Sequence, residues 1–156
     1  MTAAVLTVSD SSHRGERKDA SGPAVAEILR RHGFQVVASE VVPDEQKLIE
    51  AALVRLSASA RLVVTTGGTG IAARDVTPDA TLAVCERPLP GIAERMRAEG
   101  AKKKPTAILS RAVCAVRGVS IVLNLPGSPA GASESLLAVI DVLPHALELL
   151  AGKTSH

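Results

Sequence analysis

Aromatic side chains are almost missing: the chain has one Phe and neither Tyr nor Trp among its 156 residues. That excludes the stacked aromatic platforms on which proteins bind single-stranded nucleic acid. The core has to be built from Val, Leu, Ile and Ala instead. Cysteine is scarce, with only Cys85 and Cys114, and neither belongs to a metal-ligand spacing. Both lie in apolar surroundings, so buried, reduced thiols are expected. An excess of one charge is also lacking. A formal net charge of +2 is too small to mark a nucleic-acid or membrane footprint. No apolar run approaches the roughly 18 residues of a membrane span, and no secretory signal is legible, so a cytoplasmic location is expected. Repeats, low-complexity stretches and linkers are lacking as well, which implies one domain over residues 1–156.

What is present is a series of short apolar runs, each ending in a polar or glycine-rich segment. Residues 3–8, AAVLTV, read as a strand buried on both faces, as in a parallel sheet. The polar segment after it carries Ser9, Asp10, Ser12, Asp19 and Ser21, with Arg14, Arg17 and Lys18. Its length suits a functional loop. Ser21 as cap and Pro23 then mark a helix start, Val25, Ile28 and Leu29 make an apolar stripe, and Gly33 stops it. Residues 34–42, FQVVASEVV, form a second strand. Asp44 is placed to cap a helix whose buried face carries Leu48, Ile49, Ala52, Leu53 and Leu56. Residues 61–66, RLVVTT, form a third strand. This β-α-β-α-β order implies a parallel sheet with crossover helices. Beyond it, Thr77 and Pro78 open one helix and GIAERMRAEGA makes another, while KKKP at 102–105 reads as a solvated, charged break. AVCAVRGVSIVLNLPG reads as two strands joined at Arg117-Gly118, and a last helix is interrupted at Pro144. The expected fold is a three-layer α/β/α domain with a mostly parallel sheet.

In such sheets ligands bind beyond the carboxyl ends of the strands. Four segments fall there: residues 9–22, 43–44, 67–75 and 125–129. Gly67, Gly68, Thr69 and Gly70 can adopt backbone angles closed to other residues, so that successive N–H groups converge on an anion. The cluster fits neither a P-loop nor a dinucleotide fingerprint, because the lysine of one and the spacing of the other are missing. By themselves these glycines suit a tight turn as well as a cradle. NLPGSP at 124–129 repeats the situation, with Ser128 either a plain helix cap or part of an anion site. Asp44 and Asp75 would share the same edge of the sheet, where a pair of acids beside a phosphate cradle can hold Mg²⁺. His13, His32, His145 and His156 have no ligand spacing and read as surface or cap residues.

Taken in order, TVSDS, DASG, VVPDE, TTGGTGIAARDVTPDA, LSR and NLPGSP followed by Glu134 span nearly the whole chain. This set resembles the MogA/MoaB family of molybdenum-cofactor biosynthesis proteins. The resemblance implies a trimer-forming fold, as a single trimer or a pair of trimers, that binds molybdopterin. It also implies adenylylation of molybdopterin by ATP and Mg²⁺ with release of pyrophosphate, the alternative being a MoaB-type carrier without catalysis. It implies no nucleic-acid or membrane partner, and hand-over of the product to a molybdate-inserting MoeA-type protein. By the same resemblance Asp44 and Asp75 are the catalytic, metal-holding acids. Ser9, Asp10, Gly67, Gly68, Thr69, Gly70, Ser110, Pro126, Gly127, Ser128 and Glu134 are the ligand-binding positions.

Overall fold

The computed structural model describes residues 1–153. The chain opens with β1 (Thr2–Val8) and a short helical turn α1 (Asp10–His13), followed by α2 (Ser21–Arg31) and β2 (Gln35–Val42). Next come α3 (Gln46–Ser59), β3 (Leu62–Thr66), α4 (Thr77–Val84) and a two-residue strand β4 (Arg87–Pro88). Then follow α5 (Pro90–Lys103), a 3₁₀ turn over Pro105–Leu109, the hairpin β5 (Cys114–Arg117) and β6 (Ser120–Leu125), and finally α6 (Pro129–Val139) and α7 (Leu143–Leu150).

The strands form one sheet in the order β2-β1-β3-β6-β5-β4. Neighbours from β2 to β6 run parallel, whereas β5 lies antiparallel to β6, and β4 to β5. Apolar side chains alternate to two cores, as the pleat of a strand requires. Val5, Leu62, Val64, Ile121 and Leu123 face one core with Leu29 of α2, Met96 of α5, Leu136 of α6 and Leu147 of α7. Leu6, Val63 and Val122 face the other with Ile49 and Leu53 of α3 and Ala80 of α4. This is why the central strands are buried almost throughout, while β2, at the edge, alternates between exposed and half-buried residues. Each fully buried Leu, Ile or Val contributes about 1.5–3 kcal/mol of apolar transfer. The three-layer α/β/α architecture expected from the sequence is therefore present.

Several helix starts differ from the expectation. Ala20, not Ser21, flanks α2, and the Asp19 carboxylate accepts the Gly22 N–H at 3.1 Å and the Ser21 hydroxyl at 3.3 Å. A carboxylate is the stronger acceptor there, so Ser21 moves inside the helix. Glu45, not Asp44, flanks α3, and no side chain caps it. Val76 flanks α4, and the buried Thr77 hydroxyl donates instead to the Gly67 carbonyl at 2.9 Å. Ser128 does cap α6, accepting the Gly131 N–H at 3.1 Å. The charged break comes late, because α5 runs on through Lys102 and Lys103 and stops where Pro105 forbids continuation.

The thiols are free, with Cys114 buried and Cys85 half-buried. Burial pushes Cys114 up to about 12 and Cys85 up to about 11, so both stay protonated and inert. His32 sits at the C-terminus of α2, with Nδ1 donating to the Ile28 carbonyl at 2.9 Å. His13 and His145 are exposed on helices, as the sequence suggested. His156 lies outside the described residues.

Candidate functional site

All four parallel strands deliver their following loops to one edge of the sheet, because parallel strands share a direction. The loop after β3 is the centre of this edge. Gly67 has φ 90° and Gly68 φ 67°, angles that side chains rarely adopt. There is also no room for one. A Cβ on Gly67 would run into the Val8 carbonyl oxygen, and one on Gly68 into the Thr77 hydroxyl. The loop after β6 packs onto it, since a Cβ on Gly127 would lie 3.3 Å from the Gly67 Cα. The Gly67 N–H is used, donating to the Leu125 carbonyl at 3.1 Å, so it is not part of an anion cradle as the glycine pattern suggested. The N–H groups of Gly68, Thr69 and Gly70 have no protein acceptor among the described residues.

Two acids flank the loop. Asp44 places Oδ1 3.3 Å from the space a Gly68 Cβ would take, and Asp75 places Oδ2 2.7 Å from that of Gly70. Asp75 Oδ2 accepts the Ala72 N–H at 2.9 Å. Asp44 Oδ2 accepts the Asp10 N–H at 2.9 Å, and the Asp44 N–H returns to Asp10 Oδ1 at 3.0 Å. Each acid thus keeps one oxygen, Oδ1, without a hydrogen bond among the described residues. Burial pushes the Asp44 carboxyl above the usual carboxylate range, and the charges of Asp10 and Asp75 add to that. Asp10 goes the other way. Hydrogen bonds from Arg74 hold its carboxyl at about 2.

Beside the loop lies a cavity of about 540 Å³ between α5, the 3₁₀ turn and the start of α6. Of the positions expected from the sequence, Thr69, Gly70, Ser110, Pro126, Ser128 and Glu134 are on its wall. Ser9, Asp10, Asp44, Gly67, Gly68, Asp75 and Gly127 are not. The Ser9 hydroxyl is itself committed, capping α1 by accepting the Ser12 N–H at 3.2 Å. Met96, Leu109 and Ala112 give the cavity an apolar floor. The lysine run is exposed, as expected, but it closes α5 rather than forming a turn; Lys104 lies on the cavity wall and Lys103 reaches Glu134 at 3.2 Å.

Three arginines hold the site and were not singled out in the sequence. Arg111 donates to the carbonyls of Gly70 at 3.0 Å and Asp75 at 2.5 Å, and to Asp79 at 2.9 Å. Arg97 donates to the carbonyls of Ser110 and Ala112. Arg74 grips Asp10 through Nε and Nη2 at 2.6 and 2.9 Å. Arg74 and Arg111 adjoin the Asp and Ser of the motifs, but nothing in spacing alone says that they reach across loops.

No group of three or more His, Cys, Asp or Glu suited to a metal is present among the described residues. Two hard carboxylate oxygens, one each on Asp44 and Asp75, do fit Mg²⁺, which keeps several waters and completes its shell with substrate phosphates.

A family profile described as "Probable molybdopterin binding domain" matches residues 4–145. The chain is 43% identical over 152 residues to a molybdopterin adenylyltransferase of Helicobacter pylori strain J99, covering 95% of this chain and 86% of that one. It is 41% identical over 165 residues to the molybdopterin adenylyltransferase of Escherichia coli strain K12, covering 95% and 84%. In structure it resembles the molybdopterin biosynthesis enzyme MoaB of Thermus thermophilus, with a TM-score of 0.90, 52% identity and 97% of each chain covered. The molybdopterin biosynthesis Mog protein of Mycobacterium ulcerans is similar, at 0.88, 39% and 97% of each. This chain belongs to the MogA/MoaB family.

Proposed function

We propose that this chain is a molybdopterin adenylyltransferase of molybdenum-cofactor biosynthesis, using ATP and Mg²⁺. The observation that carries the proposal is the pair Asp44 and Asp75, each with one carboxylate oxygen unbonded among the described residues, flanking a glycine loop whose Gly68, Thr69 and Gly70 N–H groups have no protein acceptor there. Two carboxylates would oppose plain phosphate binding; they make sense where a divalent cation joins the phosphates. The identity of 40–43% to adenylyltransferases over 95% of the chain supports the same reading.

In this reading the cavity takes the pterin, with Met96, Leu109 and Pro126 against its ring and Glu134 and Ser110 as polar partners. The terminal phosphate of molybdopterin lies at the Gly68–Gly70 N–H groups and the N-terminus of α6 behind Ser128. One phosphate oxygen attacks the α-phosphorus of ATP. The bond from that phosphorus to the bridging oxygen breaks, and pyrophosphate leaves with the electron pair. The nucleophile is already an anion at neutral pH, so the chain needs no strong base. The chain contributes alignment and donors for the charge that builds on phosphate oxygens. Mg²⁺ held by Asp44 and Asp75 would supply charge neutralisation between the phosphates when bound. The adenylylated product would pass to a molybdate-inserting MoeA-type protein.

The test is incubation with molybdopterin, Mg²⁺ and α-labelled ATP. Label on the pterin is expected. Molybdopterin binding without label would identify a carrier and overturn the catalytic reading. We also propose a homotrimer, alone or paired into a hexamer. Light scattering should give three or six times the 16.1 kDa chain mass, and a monomer would refute it.

A further inference from the structure

Asp10 stands at the acid cluster, yet its carboxylate is fully engaged. Oδ1 accepts the Asp44 N–H at 3.0 Å and Arg74 Nη2 at 2.9 Å, and Oδ2 accepts Arg74 Nε at 2.6 Å. Its backbone N–H meanwhile holds Asp44 Oδ2. One residue therefore ties three segments together at the strand ends: the loop after β1, the loop after β2, and the loop after β3 that carries Arg74.

Arg74 is held by one edge only. Its Nε and one Nη2 hydrogen are used, while both Nη1 hydrogens and the second Nη2 hydrogen have no acceptor among the described residues. The side chain is 62% exposed, so the ion pair adds little to stability. What the contact does supply is orientation, because a guanidinium gripped along one edge presents the other in a set direction. Arg14, the other cation close to Asp10, is taken up by Glu16 at 2.9 Å.

We propose that Arg74 is a further substrate-binding residue, receiving the β- and γ-phosphates of ATP, and that Asp10 is a positioning residue rather than a ligand. Asp10 aims Arg74 and at the same time sets Asp44. The proposal rests on the adenylyl-transfer reading. In that reaction the pyrophosphate half carries growing negative charge as its bond to the α-phosphorus breaks. A fixed, planar, permanently charged donor next to Asp44 meets that need.

The experiment is calorimetric titration of ATP with Mg²⁺ and without molybdopterin, alongside titration of molybdopterin alone. Arg74→Ala should weaken ATP binding roughly ten- to a hundredfold, the loss expected for charge-assisted hydrogen bonds, and leave the molybdopterin Kd unchanged. Arg74→Lys should recover only part, because it keeps the charge and loses the fork. Asp10→Asn keeps an oxygen for the Asp44 N–H but loosens Arg74, so it should weaken ATP binding less than Arg74→Ala. Combined with Arg74→Ala it should add no further loss, since Asp10 acts through Arg74. Additive losses, or wild-type ATP affinity in Arg74→Ala, would overturn the proposal while wild type still transfers label. A wild-type chain that binds no ATP would overturn the adenylyl-transfer reading and this proposal with it.

Discussion

Replacing Gly68 by Ala tests whether the loop after β3 is built by exclusion of side chains. Two costs add. At φ 67° an L-residue is strained by roughly 1–2 kcal/mol. The new Cβ also collides with the Thr77 hydroxyl, which holds the Gly67 carbonyl at 2.9 Å, while the Thr77 N–H holds the Gly68 carbonyl at 3.1 Å. Displacing that hydroxyl forfeits about 1 kcal/mol or more. The sum is roughly 2–4 kcal/mol, a fall in Tm of roughly 4–16 °C for a chain of this size. Gly33→Ala separates the two costs. Gly33 has φ 85°, but a Cβ there meets nothing within 4 Å, so only the strain remains. Thermal unfolding of both variants, with molybdopterin and ATP titrations on each, gives the comparison. Gly68→Ala should unfold earlier than Gly33→Ala and bind both ligands more weakly, because Asp44 Oδ1 sits 3.3 Å from the added carbon. Equal unfolding temperatures with intact ligand affinity in Gly68→Ala would refute the crowding argument.

Asp75→Asn keeps an oxygen for the Ala72 N–H, so Tm should stay near wild type while the rate of label transfer falls by roughly a thousandfold, as loss of a metal carboxylate implies; unchanged turnover would remove Asp75 from the mechanism. Asp10 is held at about 2, below its ordinary value, so its stabilising contribution is present above the unfolded-state carboxylate range and is lost as pH falls toward 2. Asp44 has the opposite sign: its raised carboxyl favours the fold only while protonated, and that gain disappears as pH rises through the raised value. Because the pair is exposed, acid unfolding followed from pH 5 to 2 should be only slightly shallower in Asp10→Asn, and a steeper profile would contradict the lowered Asp10 carboxyl. Asn124→Leu removes the amide that bonds Thr65 at 3.1 Å, Thr81 at 2.9 Å and the Val113 N–H at 3.2 Å inside the protein. Leaving such groups unpaired should cost roughly 2–4 kcal/mol, and differential scanning fluorimetry showing no fall in Tm would count against it.

How far the site can be read in advance differs from residue to residue. Gly67 and Gly68 announce themselves, because positive φ and lack of room leave only glycine. Asp44 is legible at the right edge but in the wrong local role. A helix-capping carboxylate and a loop-bridging one look alike in sequence, and the choice falls to the Asp10 N–H, which lies 34 residues away. Lys104 gives no signal either. Three consecutive lysines describe a solvated run, which they are, but nothing in them tells that Lys104, just past the end of α5, lines the cavity.

The sequence by itself determined the apolar runs, their order and their breaks. From these follow a parallel sheet covered on both faces and four loops at one edge, because burial and backbone stereochemistry act over a few residues at a time. Only the tertiary structure decided which partners the polar groups take. Arg74 could pair with its neighbour Asp75 or with Asp10, 64 residues off, and it pairs with Asp10 because the strand ends bring that carboxylate within 2.6 Å. The division of the edge was settled in the same way. A cavity lined by Thr69 and Gly70 opens beside the glycine loop, while Asp44 and Asp75 stay off its wall, set by how α5, the 3₁₀ turn and α6 pack against the sheet. Hydrogen-bond competition among distant segments has no period, so no pattern along the chain records its outcome.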